Sequence, residues 1–142
     1  MLSRRAALAG FLACLTAALG GLRRAVAADH RRQPFIDRAG QMRRDAVASG
    51  DQAYGAIVVK GDRIVGLGPS RVVVNTDPTG HAEMEALRDA ARNLGSHDLS
   101  GCVMFTTTPP CRMCETAAYW ARIDRVYTGD DGHDRGKPTY GC

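Results

Sequence analysis

The chain has 142 residues, room for one domain and one core. Its formal net charge of +4 arises in the first 27 residues, where Arg4, Arg5, Arg23 and Arg24 account for the whole excess of 19 Lys plus Arg over 15 Asp plus Glu. From residue 28 onward the chain is formally neutral, which excludes the broad basic field that concentrates nucleic acid by counterion release.

Residues 1–27 join those arginines to an Ala/Leu-rich apolar run and end in small residues, Ala25–Ala27, of the kind a signal peptidase reads. This is the pattern of a secretory signal, separate from the domain that follows at 28–142. Within it, "SRRAAL" (Ser3–Leu8) resembles the twin-arginine export motif, with Ala7 where a larger apolar residue is common. The resemblance implies a folded protein carried into the periplasm, contact with the membrane only during export, and a mature start near Ala28. An uncleaved membrane anchor, an ordinary unfolded-export signal, and a lipoprotein signal with Cys14 as acceptor are the alternative readings.

Residues 28–33 read as a lead-in. Phe35, Ile36, Ala39, Met42, Ala46 and Val47 then fall at helical spacing and predict a helix over Pro34–Asp51, with Gly50 as a stop. "YGAIVVK" (Tyr54–Lys60) and "RIVGLG" (Arg63–Gly68) flank Gly61-Asp62 and predict a hairpin. A loop follows from Pro69 to Gly80, in which Val72–Val74 suit an extended stretch. His81–Gly95 is a second predicted helix, Cys102–Thr108 a strand, Cys111–Arg122 a third helix and Asp124–Gly129 a fourth strand. The last segment, "DDGHDRGKPTYGC", has no periodicity and reads as a loose tail. The order α-β-β-α-β-α-β predicts an α/β fold, a three-layer α-β-α sandwich with a mixed central sheet.

Chemistry gathers at two helix starts. Cys111 and Cys114 lie one turn apart, so both thiols can face one point; taken alone they are a disulfide, a redox pair or two metal ligands. His81 opens the other helix and supplies a third ligand of the kind zinc accepts, with a fourth tetrahedral position for water. Helix N-termini favour negative charge, which predicts lowered thiol pKa values at the cysteines. Glu83, two residues past His81, projects at a different angle and is placed to carry a proton from that water to a leaving amine. Cys102 reads as a buried, inert thiol, with a Cys102–Cys142 bridge as the alternative, and His97 and His133 as surface residues.

"HAE" (His81–Glu83) with "PCRMC" (Pro110–Cys114) matches the H-x-E…P-C-x-x-C signature of the zinc-dependent cytidine/deoxycytidylate deaminase superfamily. "DPTGHAE" (Asp77–Glu83) resembles a segment shared by guanine deaminases and tRNA adenosine deaminases, and "YWAR" (Tyr119–Arg122) is more like the guanine deaminase branch. The resemblance implies a Zn2+ enzyme of the cytidine deaminase-like fold that removes the exocyclic amine of a small free nucleobase or nucleoside, guanine-like or cytosine-like, and releases ammonia. His81, Cys111 and Cys114 are then the zinc ligands and Glu83 the catalytic proton carrier. It further implies that Ala82 and Cys111 can place backbone N–H groups by the substrate, and that a homodimer completes the pocket.

The chain departs from the family pattern at several places. Pro109 stands where an acidic or polar residue is usual. Ser70 occupies the position, eleven before His81, where an Asn often holds the base or sugar, and is a candidate substrate contact. Trp120 is read as a substrate contact or as core or interface. Tyr54 precedes Gly55 where Pro or Phe is common, and the C-terminus stops early. Two alternatives follow: a zinc-binding member of the fold with weakened catalysis, and a tRNA adenosine deaminase.

Overall fold

A computed structural model describes residues 31–140. Residues 1–27, where an export signal is expected, and Cys142 lie outside the described residues. The elements are α1 (residues 31–48), β1 (Gly55–Lys60), β2 (Arg63–Pro69), α2 (Ala82–Leu94), β3 (Cys102–Thr106), α3 (Arg112–Trp120), β4 (Arg125–Thr128) and β5 (His133–Gly136). The five strands form one sheet in the order β2-β1-β3-β4-β5. Only β3 and β4 run parallel, joined by α3; the other neighbouring pairs are antiparallel. The sheet is mixed, as the order of elements predicts.

Strand periodicity sorts the core into two halves. Ala56 and Val58 of β1 pack with Val65, Met104 and Val126 against Ala82, Ala86, Leu87 and Ala90 of α2 and Ala118 of α3. Ile57 and Val59 point to the other face and pack with Phe105 against Ile36, Ala39 and Met42 of α1. Phe105 there lies between Phe35 and Tyr127, at ring separations of 5.4 and 4.9 Å. Alternation in β1 thus demands helices on both faces, because both of its faces are apolar. Gly55, Gly66 and Gly68 let the helices come close. A Cβ at Gly68 would run into the carbonyl oxygen of Ala82 in the first turn of α2, and one at Gly55 into the backbone of Ala39 and Arg43 in α1.

Three expectations change. Among the described residues the first helix is already formed at residue 31, ahead of Pro34, and it ends at residue 48, short of Asp51. Residues 72–76 form turns instead of an extended stretch, because Asp51 Oδ2 accepts the N–H groups of both Val73 and Val74 at 2.9 Å. The supposed loose tail supplies β5, which pairs antiparallel with β4 and is tied to it by Arg125–Asp134 at 2.6 Å. Its sequence is polar and its residues are largely exposed, so backbone pairing holds it with no apolar face to give it away. Among the described residues, no helix is long and apolar enough to cross a membrane.

Candidate metal centre and cavity

The two helix starts meet. His81 and Cys111 occupy the N-cap positions of α2 and α3, both in extended backbone, and neither side chain caps its own helix. Their carbonyls accept the first helical hydrogen bonds, from Glu85 and Glu115 at 2.9 Å, while the side chains turn toward each other. An N-cap side chain ordinarily binds its own helix; here that position is given to ligand atoms.

His81 Nδ1 lies 3.7 Å from Cys111 Sγ and 3.6 Å from Cys114 Sγ, and the two sulfurs are 3.6 Å apart. A tetrahedral zinc with its usual Zn–N and Zn–S lengths spaces such atoms by roughly 3.5–3.8 Å. One imidazole and two thiols at these separations therefore fit zinc in both chemistry and spacing, and they form the one such group among the described residues. Cys114 is fully buried, His81 is half-buried and Cys111 is exposed, so the triad opens to one side. The lowered thiol pKa expected from the helix terminus does not hold for Cys114. Burial pushes that thiol far above its ordinary range, with the Glu83 carboxylate and the Cys111 thiol adding to the shift. Cation binding at the triad opposes this, since a coordinating thiol is deprotonated by its metal.

Glu83 is 5% exposed, in the first turn of α2. Thr106, at the end of β3, donates its hydroxyl to Glu83 Oε1 at 2.8 Å. His81, Glu83 and Cys111 share a cavity of about 480 Å³ with Gln52, Tyr54, Ala82, Thr108 and Pro109. The volume suits a small heterocycle.

The expected substrate contacts divide. Ala82 lines the cavity. Ser70 is fully buried and donates its hydroxyl to Asp51 Oδ1 at 2.7 Å, away from the lining. Trp120 is 66% exposed at the end of α3, edge-on to Tyr119 and Tyr140, and lines two other grooves. Pro109 faces the cavity as one of its walls. Gln52, Tyr54 and Thr108 line it too, and Thr106 holds Glu83; no local pattern in the sequence marks any of the four. Cys102 is buried in the core, where burial raises its thiol pKa; its proposed partner, Cys142, lies outside the described residues. His97 and His133 are exposed, as expected.

Known proteins bear on this geometry. Guanine deaminase of Bacillus subtilis is 38% identical over 96 residues, 67% of this chain and 62% of that one. Its crystal structure superposes with a TM-score of 0.65 over 68% of this chain and 62% of that one, at 37% identity. A tRNA-specific adenosine deaminase of Aquifex aeolicus is 40% identical over 81 residues, 57% of this chain and 54% of that one. A solved structure in complex with 2,6-diaminopurine is 28% identical, with a TM-score of 0.63 over 66% of this chain and 53% of that one. The chain thus spans 54–62% of the length of the two curated relatives. The family profile described as the cytidine and deoxycytidylate deaminase zinc-binding region matches residues 29–130. That match runs through both helix starts and on past β4, and the chain belongs to this family.

Proposed function

We propose that the protein is a zinc-dependent hydrolase that deaminates a small free nucleobase or nucleoside. The observation that carries the reading is that two members of the His81–Cys111–Cys114 triad, His81 and Cys111, line one cavity of about 480 Å³ together with the buried Glu83. Zinc, when bound, supplies a water activated at neutral pH. The chain supplies the rest. Glu83, oriented by the Thr106 hydroxyl, would carry one proton of the attacking water to a ring nitrogen and the second, from the hydroxyl then on the ring carbon, to the amine, which leaves as ammonia when the C–N bond breaks. Ala82, Pro109 and Tyr54 wall the ring in and hold it against Glu83. The product is the oxo base, with one ammonia released.

The similarity to guanine deaminase and the diaminopurine complex support a purine-like base first, with a cytosine-like one second. A tRNA adenosine deaminase is the other reading, supported by the Aquifex relative and opposed by the neutral charge of residues 28–142. We also propose that residues 1–27 export the folded domain to the periplasm, which a mature N-terminus near Ala28 in mass spectrometry would support and an intact Met1 would contradict. Homodimerisation belongs to the same proposal, and light scattering reads it directly. The deaminase reading is tested by ammonia release from a panel of bases and nucleosides with zinc-loaded protein. Turnover of at least one member that is lost on chelation is expected; no turnover at full zinc occupancy favours a zinc-binding protein without catalysis.

A further inference from the structure

Gln52 lines the cavity, lies outside the metal triad and makes no hydrogen bond to Glu83. It is exposed, and its carboxamide makes no hydrogen bond to any described residue. Its backbone, in contrast, is held on both sides. Asp51 Oδ1 accepts the Gln52 N–H at 2.8 Å, and the Gln52 carbonyl accepts the Tyr54 N–H at 2.7 Å. Asp51 is itself locked in place: its carboxylate also accepts the Ser70 hydroxyl at 2.7 Å and the N–H groups of Val73 and Val74 at 2.9 Å. Next along the chain, Gly55 donates its N–H to Thr107 Oγ1 at 3.2 Å and accepts the Thr107 N–H at 2.9 Å, beside cavity-lining Thr108. A rigid backbone thus presents a free side-chain donor and acceptor, on neighbouring atoms, to whatever fills the cavity.

We infer that Gln52 is a specificity-determining residue of this cavity, its carboxamide reading a donor–acceptor edge of the bound heterocycle, and that Asp51 is the residue that positions it. The inference rests on the deaminase reading above. Nucleobases carry a ring nitrogen or carbonyl beside an amine or N–H, the pattern a carboxamide pairs with through two hydrogen bonds. The amine to be removed faces Glu83, so Gln52 reads a different part of the ring. Asp51 acts only through Gln52 and the loop behind it, and touches no substrate.

The experiment uses the zinc-loaded full chain as wild type, Gln52→Ala, Gln52→Glu, Asp51→Asn and the Asp51→Asn/Gln52→Ala double variant. Equilibrium binding and steady-state kinetics are measured with guanine, adenine, cytosine, their nucleosides and 2,6-diaminopurine. Gln52→Ala is expected to raise Kd and KM for the preferred base by about tenfold, with kcat changed far less. Gln52→Glu, which only accepts, reorders the panel. Asp51→Asn raises KM in the same direction, and the double variant adds little to Gln52→Ala because both act on one contact. Zinc content stays that of wild type. Gln52 is exposed, so its replacement leaves the core intact even where Asp51→Asn does not fold. Unchanged Kd and unchanged rank order in both Gln52 variants overturn the inference. Base binding without ammonia release sinks the deaminase reading, and the Gln52 contrast is then still read from Kd. Binding of no base overturns both.

Discussion

In the proposed reaction, one hydrogen bond from Thr106 would hold the proton carrier Glu83 in place. The carboxylate is buried, and the threonine at the end of β3 fixes one of its oxygens. Glu83→Gln keeps the shape but cannot carry the proton, so kcat is expected to fall by about 10²–10⁴ with zinc content unchanged. Thr106→Val keeps the volume and removes the donor; about 10- to 100-fold of kcat is expected to be lost, by analogy with outer-shell hydrogen-bond partners at metal sites. A Thr106→Val enzyme with wild-type kcat would show that Glu83 needs no such support. The triad is legible in the sequence because each motif half, H-x-E and P-C-x-x-C, keeps its own short spacing at a helix start, although His81 and Cys111 stand 30 residues apart. Thr106 is not legible there: it lies 23 residues from Glu83, and only the sheet brings the two together.

Between elements, the site depends on close approach and on one buried carboxylate. Gly68 lets α2 lie against β2 beside Ala82, the residue after His81. Gly68→Ala must therefore push the start of α2 off the sheet. A loss of about 1–3 kcal/mol in stability, the cost of overpacking, together with weaker zinc binding is expected from denaturant melts and metal titration. Asp51 ties the segment before β1 to the loop after β2. Burial alone would raise its carboxyl pKa. The N–H of Val74, the Ser70 hydroxyl and the N–H groups of Gln52 and Val73 outweigh that and bring it from 3.8 to about 2. A carboxyl lowered on folding stabilises the fold above its ordinary pKa, and that stabilisation drains away as pH falls from about 4 toward 2. Wild type should thus lead Asp51→Asn in urea midpoint at neutral pH, and the gap should close over that acid range; a constant gap would mean that ionisation of Asp51 does not matter. Helix and strand order is readable from periodicity, since each inner element carries an apolar face. β5 escapes because a polar edge strand carries none, and the turn at residues 72–76 because its partner, Asp51, is distant in sequence.

For the whole molecule, charge separates the two substrate readings. With the four arginines of residues 1–27 set aside, acids and bases balance. A free base bound by such a domain should show a KM that barely moves between low and high salt. A tRNA substrate would lose affinity steeply as salt rises, since phosphate binding releases counterions. Fold class and metal chemistry are both carried by the sequence, through element order and through the two motif halves. The cavity wall is not: Gln52 and Tyr54 reach it only because β1 lies beside β3 and sets their segment next to Thr108.

In the proposed reaction His81, Cys111 and Cys114 would hold the zinc, and Glu83 would move the protons as water replaces an exocyclic amine. Ammonia release from the base and nucleoside panel, with zinc occupancy measured on the same samples, tests it most directly. Release from at least one base is expected to scale with zinc occupancy in wild type and to vanish in fully zinc-loaded Glu83→Gln. Equal release by Glu83→Gln, or release that persists after the zinc is stripped, would contradict it.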